Sequence, residues 1–203
     1  DLVLHSNYPF VDLTYKMLVD KKNVSYLKNE VAFKDLNENS EVVYIEDWIK
    51  DNPIHDYSKN ENLVLNDIQR LETAKQIYKG GRILAFEQGS GKSLIAITFY
   101  RYFKSKVQNT FIVGPAIAIK LTWDKILTDY KEDYILVDSL EKIDHIKKGQ
   151  VVLISCDMLR KYERRIKKFL KICNNKVTLI FDESDEMTSH SSNLLKFALL
   201  RPT

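Results

Sequence analysis

The sequence predicts a three-layer α/β domain with a mainly parallel central sheet, preceded by a small N-terminal segment. Three observations point to it. From Leu65 onward, short apolar runs alternate with longer stretches whose apolar residues recur at helical spacing, the pattern of βαβ units around a buried sheet. All six glycines lie at or after Gly80, and a polar stretch over residues 51–62 separates the first segment from the rest. With 203 residues, 44% of them hydrophobic and 29% charged, the chain can bury one core and carry an appendage.

Each element follows from its local pattern. Strands are expected over 82–86, 110–114, 134–137, 151–155 and 177–181, short runs rich in Ile, Val, Leu and Phe. Helices are expected over 66–78, 91–103, 117–130 and 158–172, where apolar residues fall on one face. The division places an accessory segment at 1–62 and the α/β domain at 63–203. The first segment has one candidate strand, 41–45, and no motif that connects to chemistry. No internal repeat or low-complexity tract is present.

Composition excludes several classes. No run approaches the roughly 18 apolar residues needed to span a bilayer, and residues 1–10 lack the basic-then-apolar pattern of a secretory signal. An intracellular protein without a membrane partner is expected. Cys156 and Cys173 stand 17 apart with no CxxC spacing or histidine cluster, so neither a zinc site nor a disulfide framework is indicated, and both read as small buried residues. The net charge of +3 is unevenly spread. Residues 1–62 hold 7 Lys or Arg against 12 Asp or Glu, leaving 24 against 16 for residues 63–203. The basic part suits a phosphate backbone, and equally a solvated basic face.

The segment Phe86-Glu87-Gln88-Gly89-Ser90-Gly91-Lys92-Ser93 follows an apolar run and opens an amphipathic helix, the setting a phosphate-binding loop requires. Its glycines let successive N–H groups turn toward a phosphate, the helix N-terminus adds positive potential, and Lys92 reaches the β- and γ-phosphates. The Ser93 hydroxyl can hold Mg²⁺. Phe86 stands where the general G-x-x-x-x-G-K-[ST] pattern has its first glycine. A chance glycine turn capping a helix would use the same residues, and the partner carboxylates separate the two readings. Asp182 and Glu183 follow the run 177–181 directly. Asp182 can hold Mg²⁺ through its water shell, and Glu183 can orient and deprotonate the water that attacks the γ-phosphate. Alone, an acidic pair after a strand is an ordinary turn. Together with Lys92 it points to ATP and Mg²⁺ chemistry.

These residues resemble superfamily 2 helicases and translocases, and within them the Swi/Snf-like branch, which includes phage and large-DNA-virus members. Ala85 to Ser93 is similar to the first motif, usually A-D-E-x-G-x-G-K-T, which also lacks the leading glycine. Leu65-Asn66-Asp67-Ile68-Gln69 resembles the upstream L-R-x-Y-Q element with Ile68 in place of tyrosine, which implies that Gln69 reads the adenine. Ile112-Val113-Gly114-Pro115, with Trp123 eight residues after the proline, resembles the motif that begins the nucleic-acid track. Trp123 itself reads as core rather than contact. Residues 151–159 resemble the later track element, with Ser155 replacing a threonine, so Gly114, Pro115 and Ser155 are the candidate track positions. In Asp182-Glu183-Ser184-Asp185, aspartate stands where the family's D-E-x-H has the histidine that couples hydrolysis to nucleic acid.

The resemblance covers about residues 63–200 and implies a RecA-like P-loop domain. It assigns ATP binding to Gln69, Glu87, Gln88, Gly89, Ser90, Gly91, Lys92 and Ser93, metal binding to Ser93 and Asp182, and catalysis to Glu183, Lys92 and Asp182. It implies nucleic acid, DNA by the branch, as partner, and a second RecA-like lobe, supplying arginines to the γ-phosphate, that would follow Thr203. Three functions fit: the ATP-binding lobe of a helicase or DNA translocase, the motor module of a restriction or nuclease complex, and a nucleotide-sensing module without turnover.

Overall fold

The computed structural model describes residues 39–80, 89–174 and 176–182, which fall into two compact units. The expected strand 82–86, along with Glu87, Gln88, Glu183 and Asp185, lies outside the described residues. In the first unit, residues 39–54, 62–80 and 89–99, the chain opens with helix α1 (Ser40–Asp51). This corrects the expected strand at 41–45. The β-branched run there suggests a strand, but Val42, Ile45 and Ile49 are the buried positions, at i, i+3 and i+7, while Val43 and Tyr44 stay exposed. Asn39 starts the helix, its side chain accepting from the N–H groups of Glu41 (2.9 Å) and Val42 (3.4 Å).

Helix α1 packs against α2 (Asp67–Tyr78), with the Arg70 guanidinium bound to Glu46 at 3.1 Å and to Asp67 at 2.7 Å. A capping box begins α2: Gln69 N–H donates to the Asn66 side chain, and Asn66 N–H donates back to Gln69 Oε1, both at 2.9 Å. Two short strands, β1 (Ile54–Asp56) and β2 (Glu61–Leu63), pair between α1 and α2 in sequence. Helix α3 (Lys92–Phe103) follows the glycine loop.

The second unit, residues 55–61, 100–174 and 176–182, holds the sheet. Its strands are β3 (Asn109–Gly114), β4 (Tyr134–Val137), β5 (Val151–Ser155) and β6 (Val177–Phe181), all parallel in the order β4-β5-β3-β6. Four of the five expected strands are thus observed, three with their expected limits and β3 one residue longer. Every residue of β3 and β5 is buried, the mark of parallel strands covered on both faces. One face carries Phe111, Val113, Val152, Ile154 and Val137 into a core with Ile143, Leu159, Ile166 and Leu170. Those last four come from α5 (Leu140–Asp144), α6 (Cys156–Lys161) and α7 (Glu163–Ile172). Cys156 is buried as expected, but Cys173, just past α7, is only partly so.

Two expected helices are broken. Residues 117–130 form a π-helical turn (Ala118–Trp123) that runs into α4 (Asp124–Asp129), with Asp124 N–H donating to the carbonyl of Ile119 five residues back. Ile119, Trp123 and Leu127, each four apart, stay buried on one side across the two turns. Residues 158–172 divide at Tyr162, and Ser155 caps α6 so that it starts at Cys156, two residues before the expected limit. No described helix is long and apolar enough to cross a membrane.

Glu132 carries a buried charge in this unit, with its side chain 5% exposed. It accepts from the Tyr100 hydroxyl and from Arg101 Nε (2.6 Å), and pairs with Lys104 at 3.3 Å. Burial alone raises the Glu132 pKa, but the Tyr100 hydrogen bond and the charges of Arg101 and Lys104 outweigh it and hold the carboxyl below its ordinary 4.5. A carboxyl depressed on folding contributes stability above its unfolded pKa and loses it as pH falls through the folded value. Wild-type stability to urea is therefore expected to drop on acidification below 4.5. Glu132→Gln should lose about 2 kcal/mol at neutral pH and show a flatter acid limb; identical acid limbs would mean that the cluster is not coupled to folding.

Candidate functional site

In the first unit the site is built on the loop that opens α3. Gly89 and Gly91 both sit in the left-handed region, at φ +81° and +80°, and the Gly91 carbonyl accepts the first helical bond, from Ile95 N–H at 3.1 Å. A left-handed residue in such a turn lets neighbouring N–H groups face one concavity, an anion-binding arrangement reinforced by the helix N-terminus. Lys92 and Ser93 form the first turn and are partly exposed. The Ser90 hydroxyl oxygen is buried and takes no hydrogen bond, an orphaned polar atom inside the loop. Such a loop fits the phosphates of a nucleotide, which would bring oxygen acceptors to these donors.

Gln69 ties the helix before the loop to the loop itself. Its Nε2 donates to the Ser90 carbonyl at 2.7 Å while its Oε1 serves the α2 capping box. A carboxamide has two N–H groups and two acceptor positions, so one of each is left, the pair that an adenine edge can use. Sequence alone could not show the Ser90 contact. The same contact burdens any side chain at Gly91 twice, because a Cβ there would lie 2.9 Å from Gln69 Nε2 and displace that amide from the Ser90 carbonyl, in addition to the positive φ. At Gly89 a Cβ would meet nothing within 4 Å. Gly89→Ala should therefore cost only the backbone strain, about 1–2 kcal/mol. Gly91→Ala should cost more and also lower nucleotide affinity, as read by calorimetry on the two variants; equal losses would remove the Gln69 contact from the account.

In the second unit the candidate residues gather at the carboxyl ends of β3, β5 and β6. Gly114 and Ser155 are register partners on β3 and β5, and Asp182 continues β6 with its N–H donating to the Val113 carbonyl at 2.8 Å. Gly114 makes room for that carboxylate, since a Cβ on it would lie 3.1 Å from Asp182 Cβ. Asp182 Oδ2 accepts from Trp123 Nε1 at 2.8 Å. Trp123 is 2% exposed, in keeping with the core role expected of it, but the sequence reading missed its polar partner. A buried indole N–H requires an acceptor, but nothing in the sequence singles out Asp182, 59 positions away.

Ser155 is committed locally, its hydroxyl accepting from Met158 N–H at 3.3 Å as the cap of α6. Pro115 lines a cavity of about 430 Å³ with Ala116, Ile117, Cys156, Asp157 and Arg160, at the ends of the adjacent strands β3 and β5. Clefts outside the carboxyl ends of parallel strands are the usual ligand positions in open α/β sheets. Among the described residues no group of three or more His, Cys, Asp or Glu side chains could hold a metal ion. A single carboxylate such as Asp182 suits Mg²⁺, which keeps waters and takes one or two carboxylates plus phosphate oxygens.

Comparison with curated proteins and with solved structures gives no match. A family model described as type III restriction enzyme, res subunit, matches residues 68–197, more than half of the chain. The matched span begins beside Gln69 and includes the glycine loop, the sheet and Asp182. The glycine loop opening a helix, the buried parallel sheet and the carboxylate at a strand end are features such a helicase-like domain requires, and the chain belongs to the family of type III restriction enzyme res subunits, helicase-like ATPase domains of superfamily 2.

Proposed function

We propose that this chain is the ATP-binding lobe of a nucleic-acid-dependent motor that hydrolyses ATP with Mg²⁺. The observation that carries this reading is the loop Gly89–Ser93, with its two left-handed glycines, its helix N-terminus and its orphaned Ser90 hydroxyl. Lys92 neutralises the β- and γ-phosphates, the loop N–H groups cradle them, and Gln69 addresses the adenine. Ser93 and Asp182 hold Mg²⁺, which when bound offsets charge on the phosphoryl oxygens. Glu183 accepts the proton of the attacking water. Nucleic acid crosses the carboxyl ends of β3 and β5, by Gly114, Pro115 and Ser155, where Arg160, paired with Asp157 at 3.2 Å along the same cavity, has further N–H donors to offer a phosphate.

A second reading, the motor module of a restriction or nuclease complex, draws support from the family match itself. It shares every residue role above and differs in what the motor is attached to. The Swi/Snf-like assignment instead draws on the spelling of residues 85–93. DNA cleavage that requires ATP turnover by the full-length protein would favour the restriction reading. Sliding or unwinding without cleavage would favour the other. A nucleotide sensor would bind ATP and release no phosphate.

Lys92→Ala in the full-length protein should lower DNA-stimulated phosphate release by about a hundredfold or more with its melting temperature kept. Glu183→Gln should retain Mg·ATP binding and lose turnover by about a hundred- to ten-thousandfold. Wild-type rates in either folded variant would remove the corresponding role. Arg160→Ala should weaken DNA binding alike for all sequences and reduce the slope of log affinity against log salt by about one; an unchanged slope would take the track away from this cavity.

A further inference from the structure

One segment of chain, from Gly114 to Trp123, meets Asp182 at both of its ends. Gly114 ends β3, and Pro115 follows and accepts at its carbonyl from Ile119 N–H (2.9 Å). The π-turn then carries the chain round to Trp123, whose indole N–H meets Asp182 Oδ2 at 2.8 Å. At the start of the same segment, a Cβ on Gly114 would lie 3.1 Å from Asp182 Cβ, so the glycine leaves room for that residue. We propose that Trp123 is a positioning residue for the metal carboxylate, its indole N–H fixing one oxygen of Asp182 and leaving the other available to Mg²⁺. This rests on the reading of Asp182 as the metal carboxylate given above.

The chemistry of the donor supports the assignment. An indole N–H donates and cannot accept, so it accepts no substitute for the carboxylate in a rearranged site. It is neutral. A lysine or arginine in the same place would orient Asp182 but cancel the charge that attracts a cation, whereas the indole orients it and leaves the charge in full. Burial of Trp123 at 2% exposure locks the donor, since the ring cannot rotate without opening the core formed with Ile119 and Leu127. The π-turn over Ala118–Trp123 ends on this donor, and such turns recur at functional sites. Groups that orient a metal-binding carboxylate typically govern affinity for the metal by about ten- to a hundredfold.

The test separates the N–H from the ring. In a Trp48→Phe background of the full-length protein, Trp123 is the only indole of this chain. It is replaced by β-(3-benzothienyl)alanine, which keeps the bicyclic shape and lacks the donor, and in a second protein by phenylalanine. Binding of the non-hydrolysable nucleotide AMPPNP is then titrated at rising Mg²⁺. The expected result is an unchanged affinity in EDTA and a Mg²⁺ requirement raised about tenfold or more. A wild-type Mg²⁺ requirement in either folded protein would overturn the positioning role, and so would an equal loss of affinity in EDTA, which a general collapse of the core produces. A second readout needs no replacement of Trp123. Adding Mg²⁺ to the nucleotide complex should change the emission of Trp123, and Asp182→Ala should abolish that change; an emission blind to Mg²⁺ overturns the proposal. If Lys92→Ala leaves AMPPNP binding intact, the nucleotide reading fails and the role of Trp123 with it, whereas failure of the indole tests alone leaves that reading standing.

Discussion

The parallel pairing of β3 with β5 on one side and β6 on the other is the constraint from which the second unit follows. A strand buried on both faces has no polar side to set its register, so the register is fixed by the packing of its neighbours' apolar residues and by the hydrogen bonds of the ladder. Here Gly114 is brought level with Ser155, and Val113 level with Phe181, so that the chain leaves all three strands at the same height. Asp182, the Pro115 cavity and the cap of α6 exist as a cluster only because those exits are aligned. A slip of one residue in β6 would turn the Asp182 side chain to the other face and separate it from Trp123.

Burial also explains what kinds of polar group the unit tolerates. Asn109, at the start of β3, is buried and uses its side-chain amide on the carbonyls of Lys147 (2.7 Å) and Gln150 (3.1 Å), tying the loop before β5 to the central strand. Glu132 is satisfied by a hydroxyl and two cations. The Trp123 indole is satisfied by Asp182. Each is a polar group whose partner is supplied, as interiors demand. The Ser90 hydroxyl differs, being buried without a partner, and it lies in the loop where oxygen-rich phosphates would supply one.

The strands were legible in the sequence because buried parallel strands are continuous apolar runs, and 134–137 and 177–181 are bounded on both sides by charged residues, and 151–155 by Gln150 at its start, which leave little choice of ends. The first helix was not, because Val42-Val43-Tyr44-Ile45 has strand composition and only the longer spacing to Ile49, with the Asn39 cap, reveals a helix. The π-turn was illegible for a different reason: apolar residues at 119, 123 and 127 fit an α-helical stripe almost as well, and only the packing of Trp123 selects the wider turn. For the candidate site, glycine spacing and the Asp-Glu pair could be read directly because the chemistry dictates those residue types. What could not be read were the contacts that hold them, Gln69 to the Ser90 carbonyl and Trp123 to Asp182, since each joins residues 21 and 59 positions apart with no shared motif.

The central claim is that the backbone N–H groups of the loop Gly89–Ser93 hold the phosphates of a nucleotide, and amide hydrogen exchange reads those groups one by one. With Mg·AMPPNP, the amides of residues 89–93 should become protected, and adenosine, which lacks phosphates, should leave them exchanging as in the free protein. Protection by adenosine equal to that by the nucleotide, or an unchanged loop with protection elsewhere, would contradict the account.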